Sequence, residues 1–176
     1  MKRLLFSLKL MVLVCAFTWI SGCQYDPFAD SYTQKKPLAS DIPGTYVLSD
    51  QTLNDMPIDK LTARNGSKSS PHQLILYSNG TFSMINMPVW AGDWANKSID
   101  EWSISKFQSG SGRWKIEVTR MGDDADYWGL TFTSPNISVG NATFSGEKSP
   151  YDIIFGYGDP DEGNAMIYEK QSSSSE

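Results

Sequence analysis

The chain has 176 residues, of which 40% are hydrophobic, so it is long and apolar enough for one domain with a sizeable core. Its 20 Asp and Glu outnumber its 15 Lys and Arg, and this acidic balance argues against a nucleic-acid partner. Cysteine is limited to Cys15 and Cys23 and histidine to His72. This excludes a structural zinc site, a CxxC redox pair, a disulfide framework and a multi-histidine metal site.

Residues 1–22 have the organisation of a secretory signal peptide. A positively charged start is followed by a mostly apolar stretch from Leu4 to Ile20 and then by the small residues Ser21 and Gly22. Lys9 interrupts the apolar stretch and leaves it short for a membrane-spanning helix, which needs about 20 residues. We therefore expect residues 1–22 to be removed.

The end of this segment, Ile20-Ser21-Gly22-Cys23, resembles the bacterial lipobox. The resemblance implies that the chain is cut before Cys23 and that the thiol of Cys23 carries a diacylglycerol. Gln24 stands where an Asp would resemble an inner-membrane retention signal, so in a Gram-negative host the outer membrane is favoured.

The expected cleavage also changes the charge of the chain. It removes three of the 15 basic residues and none of the 20 acidic ones, which leaves a formal charge of -8. Such a surface is not attracted to anionic lipid, so the acyl chains on Cys23 must provide the attachment. Each buried CH₂ contributes about 0.8 kcal/mol, and two or three chains hold firmly where one does not.

Residues 23–40 are polar, contain Pro27 and Pro37 and show no sustained periodicity, which predicts a lipidated Cys23 followed by a flexible tether. The serine-rich segment 171–176 predicts a disordered tail. The folded domain is then expected at 41–170.

Within this domain the hydrophobic period is two, which indicates half-buried antiparallel strands. Trp114, Ile116 and Val118 alternate with polar residues along Arg113–Arg120, and Tyr127–Thr133 repeats the pattern. The predicted strands are about 45–49, 73–77, 81–87, 100–107, 112–120, 127–133, 140–145, 151–157 and 165–170.

Turn residues separate these strands. Ser78-Asn79-Gly80-Thr81 predicts a two-residue type I′ hairpin, because Asn-Gly readily adopts the two positive φ angles. Longer hairpin loops are expected at Ser109–Gly112 and Gly122–Asp126, and Gly158–Asn164 is expected to connect the last two strands.

The predicted fold class is all-β, an antiparallel up-and-down meander of eight or nine strands. A meander of this size avoids exposed edges by closing into a barrel, with a β-sandwich as the alternative. A barrel of about eight strands either holds one small ligand or is filled by its own side chains.

The meander resembles the small bacterial lipocalin-like (calycin-type) lipoproteins. Gly44-Thr45-Tyr46 opens the first strand as the Gly-x-Trp of lipocalins does, with Tyr46 in place of Trp. The long segment Asp50–His72 matches their loop over the barrel mouth, and Lys170 is the nearest counterpart of their terminal-strand arginine. The resemblance implies a barrel with a small apolar ligand and transfers no catalytic residues.

The strongest candidate for a ligand site is an aromatic cluster. Trp90 and Trp94 lie in the segment Pro88–Trp94, which we expect to be a loop, and Trp102 opens the following strand. Indole rings are costly to leave exposed to water, so we expect them to pack against another part of the protein or against a ligand. They either cap the barrel as part of its core or form a lid and stacking platform for an apolar or sugar ligand.

Other chemistry is weakly indicated. His72 is expected in an exposed loop without a Gly-x-Ser-x-Gly nucleophile motif, and the acidic residues concentrate in turns, where Asp is common for structural reasons. Asp159 and Asp161 form a weak candidate calcium loop that lacks the distant bidentate Glu of an EF-hand. We expect no catalytic residue, metal or cofactor.

The sequence thus predicts a non-enzymatic lipoprotein, anchored through Cys23 in the bacterial envelope and most simply in the outer membrane. Its barrel either binds a small apolar ligand or, as the alternative, is filled and serves as a structural or protein-interaction module of the envelope. A hydrolase is a distant third.

Overall fold

A computed structural model describes residues 26–50, 52, 71–91, 103–121, 125–157 and 163–172, and of 90, 91, 103–106 and 121 it describes the backbone only. The described chain is a closed barrel in which each strand pairs antiparallel with the next and the last pairs with the first. The predicted up-and-down barrel is confirmed. Its strands are β1 (Gly44–Leu48), β2 (Gln73–Leu76), β3 (Thr81–Ala91), β4 (Ser103–Met121), β5 (Asp126–Thr133), β6 (Ala142–Ser145), β7 (Asp152–Gly156) and β8 (Ala165–Lys170).

The barrel has eight strands because two predicted strands are one. The hairpin expected at Ser109–Gly112 is wrong, since β4 runs without a break from Ser103 to Met121. The glycines there serve close packing rather than a turn. A Cβ on Gly110 would lie 2.8 Å from the Ile137 side chain, and one on Gly112 would meet Thr133 O of the neighbouring strand.

The segment expected to be an aromatic loop is also partly strand. β3 continues through Ala91, and the backbone of Trp90 pairs with Ile104. The strand is bent rather than ended, because the register of β3 against β4 shifts between Met84 and Met87. Asn86 lies at this bulge with a φ of 56°, which Asn tolerates better than most residues.

The β2–β3 hairpin lies where the sequence predicts it, but its turn differs from type I′. Tyr77 N–H donates to Thr81 O, and Gly80 N–H donates to Tyr77 O, which leaves a three-residue loop. Gly80 has a φ of 78°, whereas Asn79 does not appear among the described residues with positive φ. Asn79 instead accepts hydrogen bonds through Oδ1 from the Thr81 amide and hydroxyl, which ties the turn to β3.

The N-terminal part also differs from the expected flexible tether. We call residues 26–41 the strap; it contacts the barrel through the buried residues Tyr32 and Thr33, whereas Leu38 is exposed. Strands β5 and β6 pair only at Gly129–Thr143 and Leu130–Ala142, and beyond these pairs Thr33 of the strap joins the two strands. Thr33 N–H donates to Phe144 O, and Trp128 N–H donates to Thr33 O, both at 2.9 Å. The strap therefore belongs to the sheet rather than to a linker.

The strap then leads into β1 through buried contacts. Ile42 is fully buried, and its carbonyl accepts a 2.7 Å hydrogen bond from the Tyr46 hydroxyl. Lys170 at the end of β8 donates to Asp41 O and lies 5.6 Å from the centre of the Tyr46 ring. A Cβ on Gly44 would lie 2.8 Å from the Lys170 side chain, so glycine at this position leaves room for the lysine to cross β1.

Candidate functional site

Most residues that the sequence proposes for function cannot be placed. Cys23, Trp94, Trp102, Asp159 and Asp161 lie outside the described residues, and for Trp90 the structure gives the backbone within β3. The described residues that could form a site lie in the barrel interior and on its outer surface.

The interior is occupied by the barrel's own side chains. Seven strands each contribute a large residue with at most 1% exposure, namely Tyr46, Leu74, Phe82, Leu130, Phe144, Ile153 and Tyr168. Aromatic rings pack against one another inside: Phe132 stacks on Phe155 at 5.7 Å, and Phe155 meets Tyr168 edge-on at the same distance. This packing fills the described part of the barrel.

Among the residues that the structure describes, one interior polar atom lacks a hydrogen-bond partner. Tyr168 is fully buried, and none of these residues forms a hydrogen bond with its hydroxyl. Burial also raises the pKa of Tyr168, so the phenol stays neutral. Tyr46 is equally buried, but its hydroxyl is satisfied by Ile42 O. Because a buried unpaired hydroxyl is costly, Tyr168 marks a place where a water or a ligand's polar atom would be favourable.

His72 is not the exposed loop residue that the sequence suggests. Its ring is half-buried and lies 5.2 Å from the ring of Phe107, and Nδ1 lies 2.7 Å from Asn86 O. A carbonyl oxygen only accepts, so Nδ1 carries the hydrogen. The imidazole thus fastens β2 to the bulge of β3, which is a structural role.

A cleft of about 180 Å³ lies between the strap and strands β4, β6, β7 and β8, and we call it the strap cleft. The strap supplies one wall through Asp26, Phe28 and Tyr32. The residues that line the remainder include Arg120, Thr143, Asn141, Ile154, Tyr157 and Asn164.

An ion pair organises the strap cleft. Arg120 of β4 forms a salt bridge with Asp26 and donates a 3.1 Å hydrogen bond to the Tyr32 hydroxyl, and its guanidinium lies 5.1 Å from the centre of the Tyr32 ring. Asp26 Oδ1 also accepts the Phe28 amide at 2.9 Å. Burial, and secondly the neighbouring Tyr127, raises the pKa of Tyr32 to about 12. At neutral pH the two charges therefore face each other beside a neutral phenol.

Hydroxyls, amides and a glycine complete the lining. Thr119 and Thr143 face each other with their hydroxyl oxygens 3.2 Å apart, and Ile154 adds a buried apolar side chain. Gly156 leaves the space open, because among the described atoms a Cβ there would meet only Arg120 Nη2, at 4.0 Å.

Sequence reasoning missed this cleft because its residues come from five separate stretches of chain and form no motif. The one available signal was the lone Arg120 at the end of an alternating strand. Comparison with protein families, curated proteins and solved structures found no significant match. Among the described residues, no group of three or more His, Cys, Asp and Glu could hold a metal ion, and no helix has the length and hydropathy to cross a membrane.

Proposed function

We propose that this chain is a lipid-anchored, non-enzymatic protein of the bacterial envelope, and that it acts through the outer surface of a filled barrel. The observation that carries this choice is the packed interior, in which Tyr46, Phe82, Phe144 and Tyr168 occupy the space that a carried ligand would need. Of the sequence's two alternatives, this favours an interaction module over a carrier of apolar molecules.

The strap supports a short connection to the membrane. The Cys23 of the lipobox-like segment precedes Asp26 by three residues, which span at most about 11 Å. Since Asp26 is paired with Arg120, a lipid on Cys23 would hold the barrel close to the bilayer with the strap side facing it. On this proposal a partner is another component of the envelope near the membrane surface.

The anchor is tested in a bacterial host with the chain's own signal sequence. Mass spectrometry of the N-terminal peptide should show acyl groups on Cys23, and Cys23→Ser should abolish them and release the protein from the membrane fraction. Cys15→Ser is the matched control, because Cys15 lies in the segment that is removed. An unmodified Cys23 in the wild type would overturn the lipoprotein proposal.

The filled interior is tested with the apolar fluorophore N-phenylnaphthylamine on the purified protein. A filled barrel should give no saturable rise in fluorescence. A saturable rise that Trp90→Ala or Trp94→Ala weakens, without lowering the melting temperature, would show a lid over a ligand cavity and contradict the proposal.

The binding of a small ligand inside the barrel is the second candidate, and the unpartnered Tyr168 hydroxyl favours it. Native mass spectrometry of protein purified from its own membrane would reveal such a ligand as added mass. Loss of that mass in Tyr168→Phe, with the fold intact, would assign the hydroxyl as its polar contact.

A further inference from the structure

We infer that the strap cleft is a binding site for one uncharged sugar ring. The inference concerns the cleft alone and does not depend on lipid anchoring. It deepens the proposed function, because it names the chemical class of ligand that the outer surface binds. It rests on the proposed function only in identifying the source of the sugar as an envelope glycan.

The charges at the strap cleft favour a neutral ligand. Among the described residues that line it, only Asp26 and Arg120 are charged at neutral pH, and they neutralise each other. An anion would have to displace Asp26 from the guanidinium, and a cation would have to displace Arg120 from the carboxylate. The formal net charge of the chain, which is -5, disfavours an anion further.

The polar groups suit a ligand that both donates and accepts hydrogen bonds. Asn141 and Asn164 bring amides and Thr143 a hydroxyl, and each of these groups offers a donor and an acceptor. A sugar hydroxyl has the same dual character. A purely apolar molecule would remove water from the exposed Asn141 amide without replacing its hydrogen bonds, which costs free energy.

The apolar part and the size complete the match. Phe28, Ile154 and Tyr157 present carbon surface beside the polar groups, and a sugar ring has C–H faces that pack on such surface. A volume of about 180 Å³ corresponds to roughly six water molecules at about 30 Å³ each, and lies below the 300–1,000 Å³ of drug-sized sites. One ring fits, whereas a disaccharide would extend outside.

The inference is tested by saturation-transfer difference NMR, which detects millimolar binding, on the purified full-length protein in a detergent without a sugar headgroup. The probes are N-acetylglucosamine, glucose and inorganic phosphate. We expect saturable binding of at least one sugar, competition between the sugars if both bind, and no competition by phosphate. Binding of neither sugar, or displacement of a bound sugar by phosphate, would overturn the inference.

Two variants locate the binding. Gly156→Leu should reduce sugar affinity at least tenfold, because the new side chain projects into open space in the cleft rather than into packed neighbours. Asn141→Ala removes an exposed amide and should weaken binding about tenfold. Ser138→Leu, at a position that is also exposed but lies outside the cleft lining, is the control and should bind as the wild type does.

Circular dichroism and the melting temperature establish that each variant is folded. If Gly156→Leu does not fold, Asn141→Ala decides the question. Unchanged sugar affinity in a folded Gly156→Leu or in Asn141→Ala would place binding elsewhere and refute the assignment. These outcomes are separate from the fate of Cys23, so a missing lipid would refute the proposed anchor and leave the cleft intact.

Discussion

Replacing Tyr32 by alanine tests whether the strap is part of the folded domain. The Tyr32 side chain is 7% exposed, packs 5.3 Å from the ring of Tyr127 and accepts a hydrogen bond from Arg120. Burying an aromatic side chain removes roughly 150–250 Å² from water, and large aromatic-to-alanine changes in cores cost about 3–5 kcal/mol. Because the strap lies at the barrel surface, where water can enter the space left behind, we expect about 3 kcal/mol.

Denaturant unfolding followed by tryptophan fluorescence measures this change, and the melting temperature should fall by roughly 6–12 °C for a domain of this size. Leu38→Ala is the control, because Leu38 belongs to the same strap and is 68% exposed. It should stay within about 0.5 kcal/mol of the wild type. If Tyr32→Ala were equally neutral, the strap would be a tether in solution and the reasoning from its contacts would fail.

Three further predictions concern the stability of the folded domain. Tyr46→Phe should lower the free energy of unfolding by about 1 kcal/mol, because it removes a buried hydroxyl that donates a hydrogen bond. Tyr168→Phe should be neutral or stabilising, because its hydroxyl has no partner among the described residues. Equal losses of stability in the two variants would contradict this. Raising the pH from about 10 to 12 should lower the stability of the fold. Burial raises the pKa of Tyr32 to about 12 and also raises the pKa values of Tyr46 and Tyr168. The unfolded chain therefore loses these protons at a lower pH than the folded protein does, which favours unfolding. Full stability at pH 12 by circular dichroism would refute the assigned burial. Gly112→Ala should lower the free energy of unfolding by about 2 kcal/mol, because the added Cβ would overpack against its neighbours. Gly140→Ala, whose Cβ would have no described atom within 4 Å, should stay within about 0.5 kcal/mol of the wild type. The reverse order of the two losses would contradict the close packing assigned to Gly112.

The strand pattern was readable because it depends on neighbours in the chain. Alternation along Arg113–Arg120 and Tyr127–Thr133 follows from the period of two in any strand with one buried face, and both segments lie in β4 and β5 as predicted. Asn79-Gly80 marked its hairpin for the same local reason. Closure of the barrel followed from the number of strands and the short connections between most of them.

Glycine was misread where its role is tertiary. Gly110 and Gly112 look like turn residues in the sequence, yet they lie within β4 because Ile137, Thr133 and Phe82 approach the backbone there. A local pattern gives no information on which distant side chain crosses a strand. The positions of the bulges, which let β3 continue through Trp90, are likewise set by pairing with β4.

The sequence by itself determined the fold class and most strand positions, because strand alternation and turn residues are local patterns. It left open whether the barrel interior is filled or holds a ligand. It also provides the only indication of a lipid anchor at Cys23. Only the tertiary structure decided that Thr33 joins β5 to β6 and that Asp26, Tyr32 and Arg120 meet beside β7 and β8. Strands β1 to β3 and most of β4 separate Asp26 from Arg120 in sequence. The two residues meet because the strap docks where β5 and β6 leave backbone groups unpaired. Hydrophobic periodicity in the sequence gives no information on where this happens.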